Sequence, residues 1–343
     1  MATIKEVAKK AGVSVATVSN VLNQRLPVSA PLRERVLKAA RELDYHPDFI
    51  ALSLKARQTR TLGMIIPDIS NPYFPLLVRG AESVALAKDY LLIAINTDDD
   101  IERERKALSL LRSRKVDGLL LVTAPGNGTP NHILDLIKSG VPTVCLDRRP
   151  ANVQLDSVLV DNLGGARICV RHLLERGFGT VAMVSGPPTL ETAQQRLLGY
   201  RTALKEFGKP VDPKLIVQSN FRESGGFDAA VQLLKLRPRP EAVFIANGMM
   251  TLGFLHGMSK EGVRCPEDMA IAAFDDLPFS DATRPSLTCV AQPAFEVGRN
   301  GAELLLARLE KRSKGSAPAE IILPTELRIR ESSQRFHNRA KFR

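Results

Sequence analysis

Two groups of side chains in this 343-residue chain have the types and spacing to do chemistry. The first is contiguous. Residues 14–20 read Ser-Val-Ala-Thr-Val-Ser-Asn, a run of small, polar and β-branched residues that makes a poor core helix. It offers a slim surface with one carboxamide, Asn20, able to donate and accept in one plane as an adenine edge requires. Val15 and Ala16 can touch a thymine methyl, while Thr17, Ser19 and the amides at a helix start suit phosphate. The second group is dispersed. Asp147, Arg148, Arg196, Asn247 and Asp275 each lie at or near the end of an apolar run, as do the rings of Phe74 and Phe221. Carboxylate and guanidinium pairs give charge-assisted hydrogen bonds to a hydroxyl-rich ligand, and aromatic faces cover the C–H side of a sugar ring or stack on a base.

Neither group is a set for making or breaking bonds. No GxGxxG follows a first strand, and neither GxxxxGK[ST] nor GxSxG occurs. None of the five His has a second ligand at metal spacing. Four widely spaced Cys (145, 169, 265 and 289) form no CxxC, which fits a reducing cytoplasm and predicts neither a zinc site nor a disulfide framework. The start, MATIKEVAKK, has no apolar h-region, and no run approaches the roughly 18 apolar residues of a membrane span. The expectation is therefore a binding protein without cofactor or metal, not an enzyme.

The contiguous group needs a helix to present it. Thr3-Ile-Lys-Glu6 is a capping-box pattern that opens a short helix with Ile4, Val7 and Ala8 on one face. Gly12 supplies a left-handed turn, and Ser14 caps a second helix whose apolar stripe is Val18, Val21 and Leu22. That stripe turns Val15, Ala16, Thr17, Ser19 and Asn20 outward. A third helix over about 32–43, with Val36, Leu37, Ala40 and Leu43 inward, completes a helix-turn-helix. Thr3 and Ser14, each at a helix start, join the outward set as candidate DNA contacts. Charge agrees: the first sixty residues hold 11 basic and 5 acidic side chains, and the last twelve hold four basic and none acidic, so almost all of the net +11 sits in head and tail. A basic head on a near-neutral body is an electrostatic footprint for a polyanion.

The dispersed group needs strand ends. Apolar runs at 62–66, 91–95, 116–122, 142–146, 157–160, 180–184, 215–218, 242–246 and 269–274 read as buried parallel strands. A helical pattern is expected after each, as at 74–88, 102–114, 192–207, 226–236 and 251–260. The series restarts near Asp161, which predicts two similar doubly wound lobes with a cleft at the strand carboxyl ends. Each candidate there has a plainer role open to it. Asp275 could cap the next helix, Asn247 could fix a turn, Arg148 could pair with Asp161, Arg196 could be solvated, and Phe74 and Phe221 could be core.

"TIKEVAKKAGVSVATVSNVLN", "YHPDFIALSLK" and "TLGMIIPDISNPYF" resemble the lactose repressor–galactose repressor family of bacterial transcription regulators, over residues 2 to about 331. The resemblance implies a small all-α helix-turn-helix head (1–46), a hinge or linker (47–60), and a two-lobed α/β body (61–331) of periplasmic-binding-protein-like, doubly wound parallel sheets. A basic disordered tail (332–343) follows. It implies that Arg196, Asn247 and Asp275 bind an effector between walls formed by Phe74 and Phe221. It implies that Leu54 wedges into the minor groove beside Lys55 and Arg57, although Leu52 and Leu54 could instead pack on the body. It further implies a homodimer on a near-palindromic double-stranded operator, with helix 74–88 in the dimer contact, most simply acting as a repressor under a sugar-like effector. Control by a protein partner is the alternative. The chain departs from the family's usual residues at Asn20, Asp48, Leu52 and Gly248.

Overall fold

The computed structural model describes residues 2–23, 28–45, 58–126, 130–278, 280–311 and 317–335. Leu52, Leu54, Lys55 and Arg57, most of the expected hinge and residues 336–343 of the expected tail lie outside the described residues. At the start of that tail, Ser332 and Ser333 are instead fully buried and bonded to Thr288 and Ile271. The chain divides into two compact units, Met1–Thr59 and Arg60–Arg343.

The first unit is three helices around a small core. Helix α1 spans Ile4–Ala11, α2 Val15–Asn23 and α3 Ala30–Glu42. Val7, Val18 and Val36, one from each, are fully buried, and Ala8, Ala11, Val21, Ala39 and Ala40 complete the contact. The capping box forms as the pattern requires. The Glu6 amide donates to Thr3 Oγ1 at 3.4 Å, and the Thr3 amide donates to Glu6 Oε2 at 2.7 Å. Gly12 sits at φ 64° and ψ 41°, and its N–H closes α1 onto Ala8 and Lys9. Arg35 on α3 pins this turn by donating to the Ala11 carbonyl at 2.7 Å. The third helix begins two residues earlier than the pattern implies, with Pro31 in its first turn, where a missing N–H costs nothing.

The second unit is two lobes, each with a six-stranded sheet. Lobe 1 contains β1 (Thr61–Ile66), α4 (Tyr73–Ala87), β2 (Leu91–Asn96), α5 (Ile101–Ser113), β3 (Gly118–Leu121), α6 (Asn131–Lys138), β4 (Thr143–Leu146) and β5 (Asp156–Val160). The chain then crosses into lobe 2. There it forms α7 (Asn162–Glu175), β6 (Val181–Ser185), α8 (Glu191–Glu206), β7 (Ile216–Gln218), α9 (Glu223–Leu234), β8 (Ala242–Ile245), α10 (Gly248–Lys260), β9 (Ala270–Phe274) and β10 (Thr288–Ala291). It returns to lobe 1 for α11 (Ala294–Lys311) and β11 (Glu320–Leu323), and crosses again for β12 (Glu326–Arg328).

Sheet order is β11-β5-β4-β3-β1-β2 in lobe 1 and β12-β10-β9-β8-β6-β7 in lobe 2. All pairings are parallel except β12 on β10. The doubly wound expectation holds, with two corrections. No helix follows β4, which leads directly to β5, and an antiparallel strand closes one edge of lobe 2. Three connections join the lobes. The sequence reading set no bounds for α6 and α7 and did not identify α11 or β10–β12. β11 and β12 are short edge strands, alternating exposed and half-buried residues, and give no continuous apolar run. Helix α11 seals the return. A Cβ on Gly80 of α4 would lie 2.0 Å from the Phe295 carbonyl oxygen, and one on Gly298 would lie 1.9 Å from that of Leu77. Only paired glycines allow α4 and α11 to approach backbone to backbone.

Candidate DNA-reading head and ligand cleft

In the head, α2 displays its residues as the spacing implies. Val18 and Val21 face the core, and Val15 is 41 % exposed. Ala16 is also exposed, while Thr17, Ser19 and Asn20 are half-buried along the same helix. Two hydroxyls are engaged locally. The Thr17 amide donates to Ser14 Oγ at 3.1 Å, and the two hydroxyl oxygens lie 2.9 Å apart. Thr3 spends its side chain on the Glu6 box. These contacts fix the start of α2 and leave a narrow face of Val15, Ala16 and Asn20.

In the body, the cleft candidates converge from both lobes. Asp147 and Arg148 follow β4, Phe74 is in the first turn of α4, and Tyr73 precedes it. From lobe 2 come Arg196 on α8, Phe221 before α9, Asn247 at the start of α10 and Asp275 after β9. Asp147, Arg148, Arg196 and Asn247 are each 4–6 % exposed.

Arg196 is the hub. Its Nε donates to Asn162 Oδ1 at 2.8 Å and its Nη1 to the Ala246 carbonyl at 2.6 Å. Its guanidinium carbon lies 3.7 Å from the centre of the Phe274 ring and 5.8 Å from that of Phe221. It is a buried cation, not a solvated helix residue. Burial lowers its pKa, opposed by Asp275 and Asp147. Burial raises the Asp147 carboxyl, opposed first by Arg148 and then by Arg196. Tyr73 is pushed well up by burial and then by the Asp147 charge. These reciprocal influences place two carboxylates, two guanidiniums and one phenol within one electrostatic neighbourhood.

The plainer roles are partly realised alongside. Asn247 does cap α10, accepting from the Met250 amide at 2.9 Å, and its Nδ2 donates to the Phe221 carbonyl at 2.9 Å. Asp275 accepts from the Gly248 amide at 3.0 Å and from Gln292 Nε2. A Cβ at Gly248 would lie 3.3 Å from Asp275 Cβ and 2.7 Å from Leu277, so the missing side chain is what admits the carboxylate here. Arg148 does not pair with Asp161, which caps α7 through the Gly164 amide. It pairs with Asp99 at 2.6 Å and lies 3.4 Å from Asp147. Phe74 is 4 % exposed, stands edge-on to Tyr73 and has the Arg148 guanidinium 5.9 Å from its ring centre.

Two features mark the cleft as built for something other than packing. Asp147, Phe221 and Asp275 have φ of 62°, 63° and 78°, a backbone region costly for side-chain-bearing residues and concentrated at functional sites. Gln292 Oε1 is buried without a hydrogen-bond partner, and Arg148 Nε has only an ion contact with Asp147 Oδ2 at 3.4 Å; an unpaired buried polar atom carries a desolvation cost that a ligand can relieve. Tyr73 lies in the segment Asn71-Pro-Tyr73-Phe74 that the sequence offered for this cleft, whereas Asn162 and Gln292 were not singled out. Each lies directly after a strand or at a helix start, and Gln292 follows the apolar run Thr288–Ala291. Among the described residues, no group of three or more His, Cys, Asp or Glu is arranged to hold a metal.

Comparison with known proteins decides the family. Residues 3–48 match the model of bacterial regulatory proteins, lacI family, and residues 170–333 match a periplasmic binding protein-like domain. The ribose operon repressor of Halalkalibacterium halodurans is 36 % identical over 97 % of this chain and 98 % of its own. The chain belongs to the lacI family of bacterial regulatory proteins. A crystal structure of the lac repressor dimer bound to operator and an anti-inducer superposes with a TM-score of 0.85 at 26 % identity, covering 97 % of this chain and 99 % of that one. A lacI-family regulator from Enterococcus faecium with bound ribose gives a TM-score of 0.71 at 30 % identity, over 80 % and 98 %. Like other members of the lacI family, the protein is a DNA-binding transcription regulator with an effector-binding body.

Proposed function

We propose that the protein is a repressor that grips a near-palindromic operator as a homodimer and answers to a small neutral sugar, an aldopentose of the ribose type. One observation carries the ligand class. The cleft gathers two carboxylates, Asp147 and Asp275, against two guanidiniums, Arg148 and Arg196, and leaves Gln292 Oε1 unpartnered. Balanced charge disfavours a phosphorylated ligand, which needs surplus cation, and suits a molecule that donates and accepts through hydroxyls. The ribose operon repressor and the ribose-bound regulator among its relatives support the same class. The protein carries out no reaction of its own and acts in the cytoplasm.

On the DNA side, the reading assigns Asn20, Val15 and Ala16 of α2 to base edges and Thr3, Ser14, Thr17 and Ser19 to backbone contacts. Residues 47–60 serve as a linker in which Leu54 wedges the minor groove between phosphate contacts from Lys55 and Arg57. Lobe 1 offers a second copy its apolar surface: Leu86 is 60 % exposed and Leu91 58 %, on α4 and the edge strand β2. Sugar binding shifts the population of lobe arrangements, and through that face the spacing of two heads, by no more than its differential affinity.

The test pairs calorimetry with operator binding. Ribose, other pentoses, hexoses, ribose 5-phosphate and purine bases are titrated into the protein, and the preferred duplex is selected from random DNA. A neutral pentose is expected to give the tightest binding and to change operator affinity. Asp275→Ala is expected to abolish that response while leaving sugar-free operator affinity intact. Tightest binding of a phosphorylated sugar or a purine overturns the ligand class. Absence of any small-molecule response favours control by a protein partner.

A further inference from the structure

The loop after β2, Asn96-Thr-Asp98-Asp99-Asp100, touches both halves of the ligand machinery although none of its residues belongs to the set above. Asp98 and Asp99 are consecutive residues in the left-handed region, at φ 56° and 59°. Asp is among the residue types that tolerate this conformation, but two in succession require external support. The loop is held from several sides. Asn96 Oδ1 accepts from the Ile69 amide at 2.8 Å, and its Nδ2 donates to Asp98 Oδ1 at 2.6 Å. The other Asp98 oxygen accepts from Arg103. Asp100 caps α5 through the Glu102 and Arg103 amides.

So tied, the loop presents two groups. The Asp99 carboxylate accepts from Arg148 Nη1 at 2.6 Å, while Nε of the same guanidinium lies 3.4 Å from Asp147. The Asp98 carbonyl accepts at 2.7 Å from Arg222 Nη2, which belongs to lobe 2 and adjoins the cleft wall Phe221. Phe221 in turn takes the Asn247 carboxamide on its carbonyl. A bonded path therefore runs from Asn247 through Phe221 and Arg222 across the lobes to Asp98, Asp99 and Arg148. A second bridge between the lobes, Arg149 to Glu191 at 2.6 Å, touches none of these loop residues.

We propose that Asp99 and Arg222 are positioning residues of the cleft and that the loop 96–100 is its clasp. Asp99 sets the orientation of Arg148, and the Arg222 bond to the Asp98 carbonyl holds lobe 2 closed over the ligand. The loop leads straight out of β2, so the clasp joins ligand retention to the strand that borders the exposed apolar surface of lobe 1. The proposal rests on the sugar-cleft reading for its ligand, but the bridge itself is independent of which ligand is bound.

Two measurements on the full-length protein test it. In the first, release of radiolabelled D-ribose is chased with excess unlabelled ribose and followed by rapid filtration. Arg222→Ala is expected to release ribose about tenfold faster with association little changed, as loss of one hydrogen bond across the lobes requires. Arg222→Lys is expected to recover part of the residence time, and Asp99→Asn to weaken binding by losing the charge that orients Arg148. In the second, hydrogen–deuterium exchange of residues 96–103 is measured without sugar, and Arg222→Ala is expected to speed it. If wild-type protein fails to bind ribose, the sugar reading falls while the exchange measurement still reads the clasp. If Arg222→Ala leaves exchange over 96–103 at the wild-type rate, the clasp is overturned. Ribose release at the wild-type rate from Arg222→Ala overturns it equally.

Discussion

The head and the cleft solve opposite problems with the same kinds of side chain. On α2, Val15 is 41 % exposed and its neighbours lie at the surface, held by contacts three residues apart in the chain. In the cleft, Arg196 is 4 % exposed and held by groups 34 and 50 residues away. A surface that reads a polyanion must stay available and slim, so its stability comes from a few buried Val and Ala beneath it. A site that encloses a neutral ligand must desolvate its charges, so each charge needs a counter-charge or hydrogen-bond partner from the surrounding fold. The head's functional residues are thus nearly independent of its stability, whereas the cleft's are part of it.

The sharpest way to break this contrast is Arg196→Ala. It leaves Asn162 Oδ1 and the Ala246 carbonyl without their donor, removes the buried cation facing Asp275, and leaves Asp147 with Arg148 alone. Loss of one partner of a buried charge cluster costs about 3–5 kcal/mol. Urea denaturation of the body is expected to show that loss together with loss of ligand binding. A stable variant that merely binds ligand less well would mean the cleft charges are as detachable as the head's.

Asn20→Ala probes the other side. Discrimination at one or two base pairs per half-site is expected to fall by about 1–3 kcal/mol per base contact, with the denaturation midpoint unchanged. An unaltered preference in selected DNA would remove Asn20 from base reading. Thr3→Ala separates support from display within the head. Losing the capping box costs about 1 kcal/mol, lowering head stability as followed by the circular dichroism of a 1–59 unit within the intact chain's melting profile, while base preference stays the same.

The smallest effect concerns Asp276, next to the cleft carboxylate. Burial opposes its charge, but hydrogen bonds from Arg330, Cys289 and Arg328 outweigh that and hold its pKa at about 2. A carboxyl depressed on folding stabilises the fold fully above its unfolded pKa of about 3.9. That contribution is lost as pH falls from about 4 through about 2. Urea midpoints measured down this range are expected to decline, and Asp276→Asn is expected to flatten the part of the slope that belongs to this group. The head has no buried carboxylate network of this kind among its described residues.

Legibility in the sequence follows the same division. Thr3, Glu6, Gly12 and Ser14 act on neighbours within one or two turns, so the capping box, the left-handed turn and the outward face of α2 could be read directly. Most strand ends were readable too, because a buried parallel strand is a continuous apolar run, and the strand ends located Asp147, Asn247 and Asp275. Gln292 and Asn162 escaped because their roles arise from partners that only the fold brings near. The alternative ion partner weighed for Arg148, Asp161, came from the wrong loop. Asp161 and Asp99 are equally plausible by charge, and only the path of the chain after β2 selects Asp99.

By itself, then, the order of residues determined the three-helix head, the alternation of strands and helices, and the polar residues at strand ends, because hydrophobic periodicity and local capping are encoded within a few residues. The tertiary structure alone decided that the chain crosses between lobes three times, that α11 returns to seal lobe 1 through paired glycines, and which acid faces which arginine. The physical reason is that buried charges are paired through space, and the distance that governs their energy bears no fixed relation to separation along the chain.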